Sequence, residues 1–318
     1  MLTRLRTILA KIEATEGVAE TLTSTDNPLL VKDLKVNPNV NMYKRAILLP
    51  TLSNLPDLPG GTTATIGFSV ELKGPGQAFS DTVKPYYADY LKVCGFGETT
   101  ETDATTGDIL KYIYQPISLN IPSLTIGVYE DGIVHRIAGC RGTVRFSGQV
   151  GQPVIAEFEF TGVWLGAQDE AMPSISGLDI SNPPVCLATG VTIDSYTPVM
   201  TKFTLDIANS VEMREDITSS TGYKSALITG RDPKGNIDPE AVTVATYDFF
   251  GKWKNGESFA LDITVGDTQY NKVSFSAPNA RITSISEDDR NGIMVYNIDF
   301  VMATNSASGD DEIQIIFE

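Results

Sequence analysis

The chain has 318 residues, enough for two cores, and its 42% hydrophobic and 20% charged residues are those of a folded protein rather than a disordered one. A formal net charge of -16 excludes a protein that grips nucleic-acid phosphates, because such binding relies on Lys and Arg displacing counterions. Solubility alone also accounts for the acidity. The three cysteines Cys94, Cys140 and Cys186 match no metal or redox spacing, which points to a reduced, cytoplasmic folding environment. No stretch is apolar enough to span a bilayer, and the basic, mildly amphipathic residues 1–10 lack the form of an export signal.

A strand is expected over 42–49, followed by an apolar loop in which Leu48, Leu49, Leu52, Leu55 and Leu58 alternate with three prolines. Exposed apolar patches mark interfaces, so the loop is a candidate partner surface; the alternative is a loop folded back on its own core. Period-two alternation over 66–72 predicts a strand with one buried face, and Gly74-Pro75-Gly76 turns the chain. A helix is predicted over 81–94, with Ser80 as its cap and Val83, Tyr86, Tyr87, Tyr90 and Leu91 on one face. A long loop follows, and its acidic tract 98–103 reads as solvated surface. Strands near 124–129 and 134–138 flank the turn Glu130-Asp131-Gly132, and a hairpin spans 143–161.

The stretch 166–195 carries Pro173, Pro183, Pro184 and several serines, and reads as a linker; the alternative is a long ordered loop crossing between domains. Beyond it come strands at 201–207 and 224–229 and a turn at 232–236. A helix over 239–254 follows, with Asp238 as cap and Pro239 in its first position. Strands at 259–265 and 272–276 and a hairpin over 281–302 complete the series. These elements repeat those of the first half in order. The chain therefore reads as a mainly β protein of two tandem sandwich or partial-barrel domains, each with one flanking helix. The domains are 1–165 and 196–318, joined by the linker 166–195.

Chemistry is sparse. His135 is the only histidine and lies in a strand with no nucleophile motif beside it. Glu287-Asp288-Asp289 sits at a hairpin tip and lacks the longer alternation of a calcium loop. No phosphate-binding loop or stacking platform occurs, so neither a cofactor nor an enzymatic role is expected.

The segment Lys11-Ile12-Glu13-Ala14-Thr15-Glu16-Gly17, leading to Asn27-Pro28-Leu29-Leu30-Val31, resembles the opening of the tail tube proteins of long-tailed bacteriophages. The strands Ile133-Val134-His135-Arg136-Ile137-Ala138-Gly139-Cys140-Arg141-Gly142-Thr143-Val144, then Gly151-Gln152-Pro153 and Glu157-Phe158-Glu159-Phe160-Thr161-Gly162, resemble that family's central strands. The resemblance covers roughly residues 8 to 165, with diluted motifs in the second half. It implies rings whose inner strands join around a channel, stacked into a tube on a tape-measure protein, between tail terminator and distal tail proteins. DNA would pass through without being specifically bound. Most members are single-domain and make six-fold rings, so two domains per chain imply a homotrimeric, pseudo-six-fold ring.

On this reading, the side chains opposite the apolar set, Glu157, Glu159, Asp206 and Asp299 with Glu71, are candidates for the channel lining. Competing readings are the tube of a contractile injection system, a glycan-binding β-sandwich, and an enzyme.

Overall fold

The computed structural model describes residues 2, 4–175 and 177–318. Among these, the chain forms 17 strands and two short helices, numbered in chain order. The first half comprises β1 (Arg6–Ile12), β2 (Lys32–Tyr43), β3 (Leu58–Glu71), α1 (Ala88–Val93), β4 (Phe96–Thr102), β5 (Ile109–Pro116), β6 (Leu124–Glu130), β7 (Ile133–Gln149) and β8 (Ile155–Asp169). The second comprises β9 (Gly190–Ile193), β10 (Lys202–Asp206), β11 (Asn209–Glu215), β12 (Tyr223–Arg231), β13 (Lys234–Ile237), α2 (Phe249–Asn255), β14 (Ser258–Val265), β15 (Val273–Arg290), β16 (Ile293–Met302) and β17 (Gln314–Phe317).

Alternation builds these strands. In β8, Phe158 and Phe160 are buried while Glu157 and Glu159 are exposed, and in β3 Ile66, Phe68 and Val70 are buried. Pairing β3 with β8 sets Phe68 opposite Phe158 with ring centroids 5.5 Å apart, and Tyr90 of α1 meets Phe68 edge-on at 5.7 Å. Each such ring contributes about 1.5–3 kcal/mol of burial. The sheets are antiparallel and do not close into a barrel, the arrangement of a β-sandwich.

One pairing scheme occurs twice. In the first half the order of neighbours is β1-β6-β7-β8-β3-β2, and in the second it is β9-β14-β15-β16-β13-β10. The halves differ in their additions. The hairpin β4–β5 follows α1 in the first, whereas in the second the hairpin β11–β12 is set between β10 and β13.

Strand pairing and hairpin packing join the halves at several places. β10 pairs with the outer part of β7, placing Leu205 opposite Phe146 and Asp206 opposite Arg145. β17 lies between β15 and β5. The hairpin β11–β12 rests on the first half through Arg141, whose guanidinium donates to the carbonyls of Ile121 (2.7 Å), Pro122 (3.1 Å) and Ala226, and to Glu16 (2.8 Å). Glu16 also accepts from Ser225 at 2.7 Å. Gly139 has φ 62, and a Cβ there would stand 2.8 Å from the Cα of Ser225, so only glycine admits this approach. Between the halves, Lys73 holds the segment 179–181 by an ion pair to Asp179 (2.9 Å) and a bond to the carbonyl of Ser181 (2.7 Å).

Several local expectations are corrected. The first helix is Ala88–Val93 rather than 81–94, because Pro85 removes a donor and biases Lys84 away from helical geometry; Ser80 instead closes a turn to the amide of Val83 at 3.1 Å. The second helix is Phe249–Asn255 rather than 239–254. Asp238 does not cap it: its carboxylate accepts from the amides of Thr201 and Lys202 at 2.8 Å, and the helix cap is Asp248. Residues 239–241 run extended beside β16. The strand expected over 42–49 lies earlier, at Lys32–Tyr43, where Leu34 and Val36 reach the core.

The acidic tract is not a loop but strand β4. There the half-buried Glu98 receives Lys84 (2.7 Å), Lys92 (3.2 Å) and the Tyr114 hydroxyl (3.0 Å). Burial opposes ionisation of Glu98, but these partners outweigh it and hold its carboxyl below the usual range.

Candidate functional site

The eight strands β2-β3-β8-β7-β10-β13-β16-β15 pair edge to edge across both halves. Their registers align residues in rows. One row runs Lys32, Ser69, Glu157, Arg145, Asp206, Lys234, Val301, Arg281. A second, two positions along, runs Glu71, Ile155, Ser147, Thr204, Asn236, Asp299, Ser284. A third short row holds Lys35, Gly67, Glu159 and Thr143. Residues directly opposite share a face, so Glu71, Glu157, Glu159, Asp206 and Asp299 all lie on the one turned away from Phe68, Phe158, Phe146, Leu205 and Ile298.

This face is not simply acidic. The five carboxylates alternate with Lys32, Lys35, Arg145, Lys234 and Arg281, which the reading of the sequence did not include. Arg145 sits between the buried Val144 and Phe146, so the same alternation that marks Glu157 marks it too. What no local pattern shows is that Arg145 stands between Glu157 and Asp206, because that needs the long-range pairing of β7 with β10. Exposed pairs of this kind are worth about 0–1 kcal/mol each, so they offset charge more than they stabilise.

Three of the acids are held by neighbours. Asp299 accepts from the Asn236 amide and the Ser284 hydroxyl, both at 2.7 Å, and Asp206 accepts from the Ala208 amide at 2.8 Å. Glu71 pairs with Lys32 across the edge of the sheet. The outcome is a polar surface of carboxylates, cations, threonines and serines held by a rigid sheet, with no nucleophile poised beside a base.

The leucine loop lies apart, at the end of the β2–β3 hairpin. Leu48 is 98% exposed and Leu52 106%; Leu49 and Leu58 are also exposed, and Leu55 is half-buried. Leu58 is already the first residue of β3, opposite Tyr43.

His135 stacks on Trp164 with centroids 6.3 Å apart. Cys94, Cys140 and Cys186 are free and buried, and burial pushes all three thiols up. Among the described residues, no group of three or more His, Cys, Asp or Glu could hold a metal ion.

The sequence pattern of the phage tail tube protein family matches residues 3–312. The chain belongs to that family and is a structural component of a phage tail. No curated protein matches it.

Proposed function

We propose that this chain is the repeating subunit of a tail tube. Copies join edge to edge into rings, the rings stack, and the tube is the conduit through which DNA leaves the virion. The supporting observation is the β10–β7 joint: two units of like topology already stand side by side with their polar faces continuous. We take these units as the two domains, expected from the sequence at 1–165 and 196–318 with 166–195 between them, although β8 runs on to Asp169 and β9 (Gly190–Ile193) already belongs to the second unit's sheet. Three copies then supply six like units. Eight strands per chain give about 24 in a ring, and at ~4.8 Å per strand the backbone diameter is about 37 Å before any tilt, which leaves an open lumen.

In this ring the face carrying Glu71, Glu157, Glu159, Asp206 and Asp299 lines the channel. Interleaved with Arg145 and Lys234 it forms a wetted, nearly charge-balanced wall, which neither grips phosphates nor strongly repels them. Leu48, Leu49, Leu52, Leu55 and Leu58 form an apolar contact between copies. A tape-measure protein occupies the lumen during assembly in the host cytoplasm, and tail terminator and distal tail proteins cap the ends. The chain performs no catalysis; a conduit needs shape and charge.

Negative-stain microscopy of the purified protein tests this reading. Rings or tubes with a central hole are expected. A persistent monomer at high concentration would end it.

A further inference from the structure

Among the open strand edges of the described residues, two are the counterparts of the two edges that meet inside the chain. We propose that β2 of one copy pairs antiparallel with the outer part of β15 in the next copy, in the register that β10 takes on β7. The proposal rests on the ring reading above and adds which strands meet and which residues face each other.

The duplicated pairing carries the argument. Along β7, β6 covers the first part of one edge and β10 takes over that edge from Arg145 to Gln149. Along β15, β14 covers the matching edge only as far as Arg281. Beyond it, Ser284–Arg290 pairs with β16 on one side, and no strand among the described residues pairs on the other. β10 has partners on both edges, β13 and β7, whereas its counterpart β2 has β3 alone. One joint inside the chain thus has one matching pair of unfilled edges outside it. The two edges belong to different parts of one chain, so filling them repeatedly runs head to tail and can close a ring.

The register follows by equivalence. Phe160 stands between Ile66 and Gly142 as Phe300 stands between Gly235 and Ile282. Counting from that match, Lys35 and Val36 hold the places of Thr204 and Leu205 in the β2 counterpart of β10. Likewise Glu287 and Asp288 hold the places of Phe146 and Ser147. The β10–β7 register, with Thr204 opposite Ser147 and Asp206 opposite Arg145, then sets Lys35 opposite Asp288 and Asn37 opposite Ser286 on the polar face.

Charge agrees with this pairing. The β2 edge carries Lys32 and Lys35, with Lys44 just beyond, against one acid, Asp33; the β15 tip carries Glu287, Asp288 and Asp289, all exposed. The joint between chains is weaker than the one within. Glu287 replaces the core ring of Phe146, and Pro38 stands where Ile207 donates its amide to Val144 at 3.1 Å. Lacking that donor, Pro38 ends the pairing at Asn37.

Cysteine cross-linking tests the proposal. Directly opposed residues of antiparallel strands have Cα atoms about 4.5–5.5 Å apart, within disulfide range. The native cysteines are buried and do not compete. Lys35→Cys combined with Asp288→Cys is assembled and oxidised with copper phenanthroline. Denaturing gels are expected to show covalent species of two and three chains and none larger. Thr204→Cys with Ser147→Cys, the same pair within one chain, is the positive control.

The proposal is overturned if wild-type tubes form and the control closes, but the 35/288 pair stays uncross-linked. It is also overturned if Lys35→Cys alone cross-links as well as the pair, since that would be a β2–β2 joint. Species larger than three chains would overturn closure at three. If the wild type never assembles, the ring reading falls first, and this proposal with it.

Discussion

The two halves share a pairing scheme but not a set of neighbours. In the first, the outer edge of β7 is covered by β10, and the Arg141 guanidinium is buried under the β11–β12 hairpin. In the second, the outer edge of β15 is open, and Arg281, the residue in the place of Arg141, is exposed. The same topological position is therefore core in one unit and surface in the other. Its energetic weight is set by what stands next to it rather than by the fold of its own unit.

The sharpest way to break this comparison is at the joint. Leu205 is 1% exposed in the β10–β7 seam, so Leu205→Ala should cost about 2–4 kcal/mol in denaturant unfolding. Val36, its counterpart on the open edge, is half-buried, and Val36→Ala should cost about 1 kcal/mol or less in the monomer. Equal losses would show that the seam carries no special weight.

Next in size is the arginine pair. Arg141→Ala leaves the carbonyls of Ile121 and Ala226 without their donor and should cost about 2–3 kcal/mol, whereas Arg281→Ala should stay within about 0.5 kcal/mol.

A smaller, pH-dependent effect separates the halves further, because the hairpin carrying Glu98 exists only in the first. Folding lowers the Glu98 carboxyl below its ordinary 4.5, so its ionised form stabilises the protein above that pH. That contribution is lost as pH falls from 4.5 through the folded-state value. Glu98→Gln should therefore cost about 1 kcal/mol near neutrality and progressively less below pH ~4, read from melts across that range. A constant penalty at all pH values would contradict the assignment.

The smallest effect on folding is expected in the leucine loop. Leu52→Asp should leave the monomer's stability within about 0.5 kcal/mol, because the side chain is fully exposed, while raising the concentration needed for assembly. Unchanged assembly by light scattering would remove the loop from the contact.

Much of the sheet was legible because burying one face imposes period two, as in 66–72 and 157–160, where Phe and Glu alternate. Strand β4 was not, since its Glu and Thr residues read as solvated until Lys84 and Lys92 are brought to Glu98 by the fold. The helices were overextended because apolar spacing continued past Pro85 in one, and because Asp238 and Pro239 mimic a helix start in the other. The acids of the polar face could be read from alternation alone. Their interleaving with Arg145 and Lys234 could not, because it depends on strands about 60 residues apart and on the seam between units.

The connection 166–195 has a consequence for how such a ring begins. In the trimeric ring proposed above, with two units on one chain and Lys73 tying residues 179–181 of the connection to the first unit, half of the unit-to-unit joints would be intramolecular. A flexible tether already gives its ends an effective concentration in the millimolar range, and a docked one raises it. Three copies then lose translational and rotational freedom where six separate units would, and each body spared saves about 4–15 kcal/mol. The fused chain can thus tolerate weak, charge-rich joints between copies and still close, and such joints leave a misplaced subunit free to dissociate before the ring is complete.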